Sequence, residues 1–124
     1  MFTTRSLPRR GALALATATL ALTAVPAFGH TELVKSSPAG GAVVRSLPRV
    51  ITLTFAEPIA KARSVTVTRA GTNHLVSFAR NPKNAAQVKV RTKDDREGSY
   101  AVVWKVVGDD GHTITGTVRF RVTR

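Results

Sequence analysis

Residues 98–122 read GSYAVVWKVVGDDGHTITGTVRFRV, and the period of this stretch decides the fold class. Tyr100, Val102, Trp104 and Val106 stand at alternate positions, so in extended backbone they share one face of a strand. Ile114, Val118, Phe120 and Val122 share one face of the last strand. Between the two lie Asp109, Asp110 and Gly111, residue types that make turns. Trp104, set among valines, reads as a core residue, and Tyr100, shortly after Gly98, has the placement of a tyrosine corner.

Outward from this stretch the same alternation recurs. Val50–Phe55 puts Ile51, Leu53 and Phe55 on one face and Thr52 and Thr54 on the other. Val65 and Val67 alternate with Thr66 and Thr68 before a turn at Ala70, Gly71, Thr72 and Asn73, after which Leu75–Phe78 reads as a partner strand. Val88 and Val90 alternate with Lys89 and Arg91. No stretch beyond Gly29 carries an apolar stripe at helical spacing long enough for three turns. About seven short strands separated by turn residues indicate an all-β, Greek-key β-sandwich.

The chain has 124 residues, room for one small domain, with no cysteine and one methionine, Met1. Disulfide frameworks, zinc ribbons, iron–sulfur clusters, cysteine nucleophiles and thiolate copper centres are thereby excluded. Any metal must sit on nitrogen and oxygen. Nineteen Lys and Arg against seven Asp and Glu give a net charge of +12, which first suggests an anionic partner. However, Lys89, Arg91, Lys93, Arg119 and Arg121 fall on the polar phase of their strands, as a solvated sheet face does. No aromatic residues alternate with them to stack bases, so nucleic acid is not an expected partner, whereas association with anionic lipid stays open.

Residues 1–29 have the pattern of a secretory signal peptide. Arg5, Arg9 and Arg10 precede an apolar run from Gly11 to Ala24, and Pro26, Ala27, Phe28 and Gly29 follow. Cleavage after Gly29 starts the mature domain, residues 30–124, at His30, exported to the periplasm or cell surface without a membrane span. Arg9-Arg10 leaves both the Sec and the twin-arginine route open.

Cleavage would also make His30 a chelator. Its α-amine and imidazole Nδ1 can grip one metal in a six-membered ring, which suits the tetragonal nitrogen and oxygen preference of Cu(II). Asp110 and His112 are two residues apart, so in extended backbone their side chains project to one side and offer a carboxylate and a second imidazole. Asp109 would then point away. His74 reads as an exposed turn histidine.

Three segments carry a family resemblance. The start His30-Thr-Glu-Leu-Val-Lys-Ser-Ser-Pro-Ala-Gly-Gly, the middle Ile51-Thr-Leu-Thr-Phe-Ala-Glu-Pro, and the end from Gly98 to Phe120 resemble the periplasmic copper-resistance protein CopC family. The resemblance runs through the whole mature chain. It implies a cupredoxin-like or immunoglobulin-like β-barrel or sandwich that binds one Cu(II) through the amine and imidazole of His30, Asp110 and His112. It places Glu57 near the site as a weak ligand or an acceptor behind the ligands, while the residue alone also reads as a strand-end cap before Pro58. It further implies a role in copper resistance or supply, with possible hand-over to a separate membrane importer of the CopD type.

The better-known two-site members hold Cu(I) in a methionine-rich segment. Around Gly71–Phe78 this chain has His74 and no methionine, so a single Cu(II) site is expected. Two other classes compete. A histidine-brace copper oxygenase would share the chelate, but an anionic Asp110 favours Cu(II) and occupies the position oxygen needs. An adhesive surface sandwich would be indifferent to loss of His30 and His112.

Overall fold

The computed structural model describes residues 32–74, 76–93 and 95–124. Nine strands follow one another: β1 (Leu33–Ser37), β2 (Val43–Val44), β3 (Val50–Phe55), β4 (Ile59–Arg69), β5 (Thr72–His74), β6 (Ser77–Asn81), β7 (Asn84–Arg91), β8 (Gly98–Gly108) and β9 (Thr113–Val122). They form one sheet in the order β1-β3-β7-β6 and another in the order β2-β9-β8-β4-β5. Among the described residues only β4–β5, β6–β7 and β8–β9 are paired neighbours in sequence; the other connections cross between sheets, and β2 lies parallel to β9. This is the expected all-β sandwich, with the cupredoxin-like architecture.

Alternation builds the core. Ile51, Leu53, Phe55, Val88 and Val90 from the first sheet meet Val65, Val67, Tyr100, Val102, Trp104, Val106, Val118, Phe120 and Val122 from the second, all buried. β3, β7 and β9 bury one phase and leave mainly threonines, lysines and arginines on the other, which is the period-two rule at work. Trp104 lies edge-on to Phe55 with ring centroids 5.0 Å apart. Opposite it in β9 stands Gly116, where an added Cβ would meet the indole Cζ2 at 2.2 Å, so the indole fits because that position has no side chain. The Tyr100 hydroxyl donates to the Arg96 carbonyl at 2.6 Å, the corner expected from its position.

Two local expectations are corrected. The turn after β4 is confined to Ala70 and Gly71, with φ of +49° and +82°, the paired positive values of a type I′ hairpin. Thr72–His74 therefore belongs to a strand, and it, not Leu75–Phe78, pairs with β4. Phe78 sits across the sandwich in β6, opposite Val90. The chain changes sheets between the two, so a continuous partner strand does not form. The two extra strands over the expected seven are the shortest, β2 and β5.

Candidate metal centre

Three segments reach the same end of the sandwich, which we term proximal. The chain enters at Glu32, whose carbonyl accepts the Ala56 N–H at 2.8 Å, while Leu33 pairs with Phe55. The β3–β4 connection carries Glu57, exposed, just before Ile59, and Ile59 pairs with Gly108 at the end of β8. The β8–β9 turn, holding Asp109, Asp110, Gly111 and His112, completes this end.

That turn is shaped by its glycines. Gly111 donates its N–H to the Gly108 carbonyl and Gly108 donates to the His112 carbonyl, both at 2.9 Å. Gly111 adopts φ +86°, a left-handed conformation that a side chain disfavours. Asp110 then folds back on His112: its Oδ1 accepts the His112 backbone N–H at 3.0 Å and its Oδ2 lies 3.0 Å from His112 Nδ1. Asp110 and His112 are thus brought together as expected, but an Asx-type turn does it, because the backbone between them is not extended.

The chemistry of the pair follows from these contacts. An ionised carboxylate only accepts, so when the ring is neutral Nδ1 carries the proton and Nε2 keeps a free lone pair. The imidazole side chain is 78% exposed, leaving that nitrogen open to an incoming ion. The His112 backbone N–H, and then its side chain, hold the Asp110 carboxyl below its ordinary value of 3.8. A carboxylate orienting an imidazole whose other nitrogen faces outward is the arrangement commonly found behind metal-binding histidines.

Glu57 shares this end but makes no hydrogen bond or ion pair with either residue, and His30 lies outside the described residues. Among the described residues no group of three or more His, Asp or Glu comes together to hold a metal, and Asp110 and His112 stand there as a pair. His74 corrects another expectation: it is half-buried in β5, opposite Val67, with its ring edge-on to Tyr100 at 5.7 Å. Its place near Tyr100 lies toward the other end of β8, away from His112. What the sequence pattern does not reveal is the anchoring of Glu32 by Ala56, a contact between distant segments.

The CopC domain model matches residues 33–123. The chain belongs to the CopC family. Among similar proteins, protein YobA of Escherichia coli K12 is 34% identical over 124 residues, covering 97% of each chain. Copper resistance protein C of Xanthomonas campestris pv. juglandis is 31% identical over 110 residues, 82% of this chain and 86% of its own. Crystal structures with the same fold include CopC from Methylosinus trichosporium OB3b, 24% identical, TM-score 0.69, covering 75% of this chain and 93% of that one. PcoC, a methionine-rich copper resistance protein from Escherichia coli, is 25% identical with a TM-score of 0.67, covering 76% and 99%. The family resemblance of the sequence and the sandwich of the CopC fold therefore agree.

Proposed function

We propose that this CopC protein is exported, loses residues 1–29, and captures one Cu(II) ion at the proximal end in the service of copper resistance or homeostasis. The relatives named for copper resistance support the role, and a family match that starts at residue 33 accords with a domain beginning at His30. One observation carries the site: the Asp110–His112 pair stands at the end where the chain enters at Glu32. His30 precedes Glu32 by two residues, a reach of about 7 Å.

In this reading Cu(II) is cargo, bound by the amine and Nδ1 of His30, by the imidazole of His112 and by the carboxylate of Asp110, which must leave its contact with His112 Nδ1 to reach the ion, with Glu57 as a weak donor or outer acceptor. The donors present suit that ion: an open imidazole nitrogen, an ionised carboxylate, and no thioether. Zinc would accept the same residues but gains nothing special from a tetragonal amine chelate. PcoC is described as methionine-rich, whereas this chain has only Met1, so Cu(I) should not be retained. The protein acts as a carrier or buffer without catalysing a reaction, and a separate CopD-type membrane importer is its partner for hand-over.

The test compares Cu(II) binding by residues 30–124 with binding by the same chain extended by one residue before His30. Extension converts the amine to an amide and should cost orders of magnitude in affinity. Equal binding would refute the N-terminal chelate.

A further inference from the structure

Charge is unevenly distributed along the sandwich, and we infer that the end opposite the metal centre docks onto an anionic phospholipid bilayer, turning Asp110 and His112 away from it. The inference rests on charge and shape, independent of which ion the proximal end binds. Glu32, Glu57, Asp109 and Asp110 all lie at the proximal end. At the distal end, where β2, β7 and β9 finish and β3 begins, stand Arg45, Arg49, Arg91, Lys93 and Arg121, all exposed.

These cations are presented on a fixed frame, and none of them forms an ion pair with a described carboxylate. Thr92 donates its N–H to the Arg49 carbonyl at 2.9 Å and its hydroxyl to the Pro48 carbonyl at 2.6 Å, locking the two loops together. The described carboxylates of this end are engaged elsewhere: Asp95 with the Leu47 N–H and Arg124, Glu97 with the Arg124 N–H. Asp94 of the same loop lies outside the described residues.

The surface fits a bilayer better than a discrete ligand. Val43, 68% exposed, pairs with Arg121 and stands two residues before Arg45, an apolar tip among cations suited to the headgroup layer. Among the described residues no aromatic side chain is exposed beside it to stack a base. Arg49 and Lys93 line one hollow beside Asp95, while Arg45, Arg91 and Arg121 stand on other strand ends, a lateral spread that suits an extended anionic surface. Each Lys or Arg near such a surface contributes about fivefold to partitioning, and the attraction is screened within a Debye length.

The experiment sediments residues 30–124, which contain every strand and core residue described above, with vesicles of phosphatidylglycerol and phosphatidylcholine. We expect binding at about 0.02 M salt, release at about 0.5 M, and none to phosphatidylcholine alone. The triple variant Arg45→Glu, Arg49→Glu, Lys93→Glu should lower partitioning by at least about 100-fold. The variant Lys61→Glu, Arg63→Glu, Lys83→Glu, with the same net charge but changed toward the proximal end, should lower it far less.

Equal losses in the two variants, or no binding at low salt, would overturn the inference and leave the cations to a protein partner. Because the chain has no cysteine, single labels test the orientation even if a triple variant fails to fold. A polarity-sensitive dye on Ser46→Cys should shift on vesicle binding while one on Ala56→Cys should not; the same shift at both sites, or a shift only at 56, rejects the orientation.

Discussion

At the distal end Asp95 accepts the Leu47 N–H at 2.7 Å and pairs with Arg124, and Tyr100 donates to Arg96, so polar groups there tie loops to the core. At the proximal end Glu32, Glu57 and Asp109 make no side-chain hydrogen bond to the described residues, and Asp110 bonds within its own turn, to His112. Polar groups that fasten a fold and polar groups left open to a ligand thus occupy opposite ends of one sandwich. Changes at one end should therefore move stability, and changes at the other should move metal binding.

The largest effect expected is the loss of Cu(II) affinity on extending the chain before His30, measured by competition titration, with the melting temperature unchanged. A fall in both would mean that the entering segment also supports the core, and the separation of the two ends would fail. His112→Ala should follow, lowering affinity by more than the 10- to 100-fold typical for loss of a group that merely orients a ligand. Asp110→Asn keeps an oxygen for the His112 N–H and removes the charge. A loss within about 10- to 100-fold would cast Asp110 as the group that orients His112, and a greater loss as a direct donor.

Smaller effects belong to the distal end. Tyr100→Phe removes the hydrogen bond to the Arg96 carbonyl and should cost about 1 kcal/mol, lowering the melting temperature by about 4–8 °C without changing copper affinity. A change in Cu(II) binding in this variant would break the comparison. Asp95→Asn should have the least effect. The Leu47 N–H, followed by Arg124, holds the Asp95 carboxyl below 3.8, so its contribution is present above that pH and is lost as pH falls through the lowered native value. The melting difference between wild type and Asp95→Asn should be seen at pH 7 and close below about pH 4.

Much of the core is legible in the residue pattern itself. Ile51, Leu53 and Phe55, or Tyr100, Val102 and Trp104, reveal which face each strand buries because side chains alternate whatever their partners are. The Tyr100 corner is also readable, since its bond reaches only four residues upstream. His74 defeats a local reading because its turn ends at Gly71, and the aromatic neighbour that half-buries it comes from β8. β2 is two residues long, too short for alternation to show. At the candidate site the residue types are legible and the geometry is not: the spacing of Asp110 and His112 suggests a strand where Gly111 makes a turn.

The sequence by itself determined the all-β class, the core faces, the family and the restriction to nitrogen and oxygen donors, because period, motif and residue chemistry are properties of the chain alone. Tertiary structure decided that Glu32, Glu57 and the Asp110–His112 pair share one end while Arg45, Arg49 and Lys93 share the other. Those groupings join residues far apart in the chain. They follow from the order and direction in which strands pair, which local pattern does not encode.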